Sequence, residues 1–129
     1  MQVRRREALP VEALPGRFLQ RAVGAEGPLT SGCMSVGFAR YCAEAGVMQP
    51  HAHAEETVVV LSSQDGWVRC GPSADRLGEA QPVSAGTVLH IPPGEWHAFG
   101  FSTDGHVDIC FCYGQATAVR PEDQTPQES

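Results

Sequence analysis

Apolar residues in this chain recur in short alternating or continuous runs, and no stretch repeats them at the three-to-four-residue spacing of an amphipathic helix. The runs cover 17–23, 33–43, 56–62, 67–70, 87–91, 98–102 and 107–113. Turn signals separate them: Leu14-Pro15-Gly16, Ala45-Gly46, Gln64-Asp65-Gly66, Cys70-Gly71-Pro72, Ala85-Gly86, Pro92-Pro93-Gly94 and Asp104-Gly105. Short strands at close spacing, punctuated by Gly and Pro, predict an all-β sandwich or small barrel. The run Thr57-Val58-Val59-Val60-Leu61 is almost unbroken in its hydrophobicity, which predicts a strand buried on both faces.

The length of 129 residues corresponds to one domain, with its core over about 31–113. Residues 1–30 read as an N-terminal arm or edge strand, and 115–129 as a polar tail carrying Pro121, Pro126 and three acidic residues. The domain therefore spans 1–114.

Composition narrows the function. The net charge is −6, and all nine basic residues are arginine. A general nucleic-acid binder needs clustered positive charge, so no nucleic-acid partner is expected. The absence of lysine removes Schiff-base chemistry and the phosphate-loop lysine. No apolar run is long enough for a membrane helix, and the basic start is not followed by an apolar segment of the secretory kind. The five cysteines are odd in number and lack framework spacing, so they read as reduced thiols of a cytoplasmic protein.

The histidines carry the chemistry. In His51-Ala52-His53, an extended backbone puts both imidazoles on one face. Glu55 and Glu56 follow at once, and a third imidazole, His97, lies beyond Pro92-Pro93-Gly94-Glu95-Trp96. Neutral imidazoles with a carboxylate suit Fe(II) or Mn(II), and also Zn(II), Ni(II) or Cu(II). Alternation along 56–61 groups Glu56 with Val58 and Val60 and sends Glu55 to the other face.

These segments resemble the two motifs of the cupin superfamily, a small double-sheet jelly roll also described as a double-stranded β-helix. Gly86, Pro92, Gly94 and His97 match the second motif position for position, and Phe101 stands in place of its closing Asn. Gly46, His51, His53 and Glu56 match the first more loosely. Gly46 is one residue too close to His51, the gap between His53 and Glu56 is short, and Ser63 replaces the closing Gly. The resemblance implies that His51, His53, His97 and Glu56 are metal ligands, with Glu56 an alternative acid/base. It implies a metal-dependent oxidoreductase of dioxygenase type acting on a small organic substrate. A metal-dependent isomerase or lyase on a sugar or small acid is the alternative, and a non-enzymatic small-molecule or metal sensor is another.

Arg40, Val58, Val60, Trp96, Phe99 and Phe101 are candidate pocket residues, Arg40 as a clamp for a substrate anion. His90 is a candidate outer partner of the metal site, and His106 reads as structural. Cys110 and Cys112 share one face of a strand, which would be either a cavity wall or buried packing. Open sheet edges predict a homodimer, with the N-terminal segment crossing between subunits.

Overall fold

The computed structural model describes residues 1–117. Most of the expected tail falls at 118–129, outside the described residues.

Eight strands follow in chain order: β1 (Glu12–Leu14), β2 (Arg17–Gly24), β3 (Leu29–Thr30), β4 (Ser35–Cys42), β5 (Glu56–Gly71), β6 (Gln81–Pro82), β7 (Val88–Ile91) and β8 (Trp96–Tyr113). Among the described residues, helix is limited to two 3-10 turns, Arg6–Ala8 and Ala43–Ala45. No helix among the described residues is long and apolar enough to cross a membrane. The strands hydrogen-bond in the order β1-β2-β4-β8-β5-β6, with β7 also on β5 and β3 on β2.

Four of the expected strands merge into two. The turn signals at Gln64-Asp65-Gly66 and Asp104-Gly105 do not end strands; they bend them. Asp65 and Asp104 adopt positive φ of 52° and 65°, a conformation Asp tolerates better than most residues. The β5 register shifts between Gln64 and Gly66. Each long strand thus has two halves. Residues 56–64 pair with 106–113, and residues 66–71 pair with 96–101. This bending lets β5 and β8 wrap the sheet around an interior.

Alternation then sets the core. Glu56, Val58 and Val60 face inward, while Thr57, Val59 and Leu61 are exposed. The expectation of a strand buried on both faces is corrected. Nothing among the described residues covers the outer side of β5 here, so the apolar Val59 and Leu61 stay in contact with solvent. Inside, Val58, Val60, Val107 and Ile109 pack with Tyr41 and Phe99, whose rings stack at 4.8 Å. Each fully buried aliphatic side chain contributes about 1.5–3 kcal/mol.

The N-terminal segment lies on the outer face of its own sheet. The Arg6 guanidinium donates to both Asp108 carboxylate oxygens at 2.6 and 2.7 Å. It also sits 4.5 Å over the Phe38 ring. Gln20 ties the same segment down by donating to the carbonyls of Arg6 and Leu9.

Candidate metal centre

Local sequence brings the three imidazoles together. In Pro92-Pro93-Gly94-Glu95 the chain turns back, with the Glu95 amide donating to the Pro92 carbonyl at 3.2 Å and Gly94 at φ +79°. A Cβ on Gly94 would meet nothing within 4 Å, so the glycine is needed for its backbone conformation and not for space. The Gly94 amide donates to the His53 carbonyl at 2.9 Å, which fastens this turn to the His-x-His segment. Beyond it, His97 and His51 form an isolated antiparallel bridge.

The rings then cluster. Centroid distances are 5.0 Å for His51 and His53, 4.3 Å for His51 and His97, and 4.8 Å for His53 and His97. One ring nitrogen from each lies within 4.8 Å of the others. The Nδ1 atoms are committed elsewhere, to the carbonyls of Gln49 (3.2 Å), Ala54 (2.8 Å) and Glu95 (2.9 Å). A carbonyl only accepts, so each Nδ1 carries its proton and donates it. Neutral imidazole then bears its lone pair on Nε2, the tautomer a metal ligand needs.

Glu56 stands beside the three rings. It is 1% exposed, and its Oε1 stands 3.7 Å from His53 Nε2 and 3.8 Å from His97 Nε2. Glu55 faces the other way, 60% exposed at the side chain, and accepts from His90 Nε2 at 2.6 Å. Three imidazoles and one carboxylate, buried together with the tautomers fixed, fit a divalent transition-metal cation.

The other expected residues divide. Val58, Val60 and Phe99 are buried beside the cluster, and Phe101 is partly buried against the same core. Trp96 is half-buried on β8, one residue off the register of His97, Phe99 and Phe101, so it belongs to the opposite face. Arg40 is exposed and is no pocket residue. On β4 the inner face carries Ser35, Gly37, Ala39 and Tyr41, because the interior is already filled. A Cβ on Gly37 would fall 2.7 Å from the Phe111 ring. The opposite face, with Phe38, lies under Arg6.

His90 pairs with Glu55 at the surface and is no outer partner of the cluster. His106 meets Ser62 Oγ at 3.1 Å, also away from it. Cys112 is exposed and Cys110 half-buried, so neither lines the interior. Their strand turns Ile109, Phe111 and Tyr113 inward instead.

Tyr113, which the sequence places in the core or the pocket wall, reaches the histidines, and one buried residue, Arg17, went unassigned. Tyr113 places its hydroxyl 3.5 Å from His53 Nε2 and its ring 5.2 Å from the His53 ring. Its register opposite Glu56 explains the position. Arg17 opens β2 on the inner face and is 2% exposed. The alternation Arg17, Leu19, Arg21 was the available signal, and it is ambiguous by itself because Phe18 and Ala22 on the other face are equally apolar.

No protein-family model and no curated protein matches the sequence. Solved structures do match. The polyketide cyclase RemF from Streptomyces resistomycificus superposes with a TM-score of 0.70 at 18% identity, covering 99% of this chain and 88% of that one. A variant of oxalate decarboxylase from Bacillus subtilis gives 0.65 at 16% identity, covering 87% of this chain and 29% of that one. Fe(II)-HppE gives 0.64 at 9% identity, covering 88% and 60%. At such identities the likeness speaks for the fold. The superpositions, the all-β, mostly antiparallel architecture and the two motifs agree that this chain has the cupin fold.

Proposed function

We propose that the protein is a metal-dependent oxidoreductase acting on a small organic substrate, with His51, His53, His97 and Glu56 holding one divalent cation. The observation that carries this reading is the set of three Nδ1-to-carbonyl hydrogen bonds, which leaves three Nε2 lone pairs in one buried place. Chance histidines have no reason to share a tautomer and a direction. The structural neighbours include proteins described with Fe(II) and with Mn(II) centres, which favours those two ions.

A bound cation of this type supplies a Lewis acid and open coordination positions. The chain's own residues do the rest. The Gln49, Ala54 and Glu95 carbonyls orient the rings. Val58, Val60 and Phe99 keep water from that side. Tyr113 brings a hydroxyl beside His53, where it can donate to or accept from a substrate atom.

A second reading is a metal-dependent lyase or isomerase. The burial of Glu56 favours it, since a carboxylate next to the ligands serves as acid/base as readily as ligand. One experiment separates these. Protein purified without added metal is analysed for its elements, reloaded anaerobically, and assayed for oxygen uptake with catechol, thiol and diketone substrates. Oxygen consumption supports the oxidoreductase, anaerobic turnover supports the alternative, and a preparation that takes up no metal overturns both.

A further inference from the structure

The outer face of β8 carries Asp108, Cys110 and Cys112 in succession, alternating with the inward Ile109, Phe111 and Tyr113. Asp108 is taken by the Arg6 guanidinium. The two thiols remain, Cys110 half-buried and Cys112 exposed. Free cysteine is among the most buried residue types. An exposed thiol two residues from a second one on the same face is therefore an arrangement that packing does not explain.

The surroundings select the kind of ligand. Val36 and Phe38 on β4, and Thr57 and Val59 on β5, stand directly opposite the two cysteines. These neighbours bring one hydroxyl, no carboxylate and no imidazole. A hard ion finds too few donors there, whereas a soft one is held by thiolate itself. A counter-charge is at hand, since the Arg6 guanidinium sits 4.5 Å over the ring of Phe38, the register partner of Cys110. It works against the burial and the neighbouring Cys112 that push the Cys110 thiol up.

Distance decides between an ion and a disulfide. Two residues along an antiparallel strand are about 6.8 Å apart. A disulfide needs its Cβ atoms at roughly 3.5–4.5 Å, which would buckle the middle of the sheet. A bridging cation adds two metal–sulfur bonds of about 2.3 Å each. Two thiols leaning toward each other along the strand then span the gap with the ladder intact.

We propose that Cys110 and Cys112 form a two-thiolate site for one soft monovalent cation of the Cu(I) kind. Binding forms two metal–sulfur bonds, releases two thiol protons to water and leaves the oxidation state of the ion unchanged. The site lies on the face of β8 turned away from the histidine cluster and does not depend on the function proposed for that cluster.

The test is residue-resolved iodoacetamide labelling of the reduced full chain, read by mass spectrometry. One equivalent of Cu(I) is added anaerobically, with bathocuproine disulfonate as competing ligand. Cu(I) is expected to protect Cys110 and Cys112 together while exposed Cys33 keeps its rate, and Mn(II) should protect neither. Losing one sulfur should weaken Cu(I) binding by roughly 10²–10⁴-fold, because the second thiolate acts at high effective concentration. Cys110→Ser should therefore leave Cys112 unprotected. Cys112→Ser, which changes only an exposed atom, should leave Cys110 unprotected, so the outcome does not depend on Cys110→Ser folding. Unprotected Cys112 in the unaltered chain, equal protection of Cys33, protection by Mn(II), or protection that survives in either serine variant overturns the proposal.

Discussion

His51 and His97, 46 residues apart in the chain, face each other across a single antiparallel bridge. Each amide donates to the other's carbonyl, at 3.1 and 2.9 Å. The backbone pairing brings these two rings to 4.3 Å, so main-chain geometry alone sets their approach.

Removing either ring should therefore cost metal and little else. His51→Ala and His97→Ala are each expected to lower metal occupancy by more than the roughly 10–100-fold that loss of an outer hydrogen-bond partner causes. His106→Ala and His90→Ala should leave it unchanged, since both side chains lie away from the cluster. Elemental analysis of the four variants decides this. Equal occupancy in all four would mean that the centre is elsewhere.

The two adjacent carboxylates give a sharper comparison. Glu56→Gln should reduce either occupancy or turnover, and Glu55→Gln neither, because only Glu56 faces the imidazoles. A variant that keeps its metal and loses turnover would mark Glu56 as acid/base; loss of metal would mark it as ligand. The two measurements, metal content and rate, are made on one preparation.

Glycines at two places should respond differently to alanine. Gly94→Ala forces a side chain into φ +79° with open space around it, which costs about 1–2 kcal/mol. At Gly100 the obstacle is steric: a Cβ would fall 2.0 Å from the Trp67 indole. Gly100→Ala should displace that ring, and a shift in tryptophan fluorescence is expected to accompany the drop in denaturation midpoint. Gly94→Ala should lower the midpoint without the same spectral change.

The N-terminal segment should prove part of the fold. Arg6→Ala leaves the carboxylate of Asp108, whose side chain is 9% exposed, without its bidentate donor, at a cost of about 1–3 kcal/mol. Arg6→Lys should recover only part, because an ammonium cannot reproduce the two-oxygen fork. Urea midpoints of the three proteins test it. Identical midpoints would show that the segment is not docked through this pair.

Thiol reactivity reports on the faces of β8. Burial pushes the Cys110 thiol upward, and neighbouring Cys112 adds to this while Arg6 opposes it. A raised thiol carries less thiolate at a given pH, so it reacts more slowly. Burial raises Cys42 and Cys70 in the same direction. Cys33 and Cys112 are exposed and should take up iodoacetamide first, followed by mass spectrometry over time. Labelling of Cys110 as fast as Cys112 would contradict the placement of these side chains.

Much of this was legible in the chain itself. Period-two alternation placed Glu56, Val58 and Val60 together, and the His-x-His and Pro-x-Gly-x-x-His spacings picked out the three imidazoles, because ring direction on an extended strand follows from local backbone geometry. Where two faces of a strand are equally mixed, local geometry is silent. Arg40 and Arg17 look alike in sequence. Only packing decides that the β4 face with Gly37 and Ala39 must point inward beneath Phe111, sending Arg40 out, while β2 turns Arg17 in. The bends at Asp65 and Asp104 are of the same kind: a turn signal states that the chain deviates, and the partner strand determines whether pairing ends or continues around the barrel. The histidine trio was thus written in the sequence, whereas the burial of Arg17 depended on which side of each strand faces the interior.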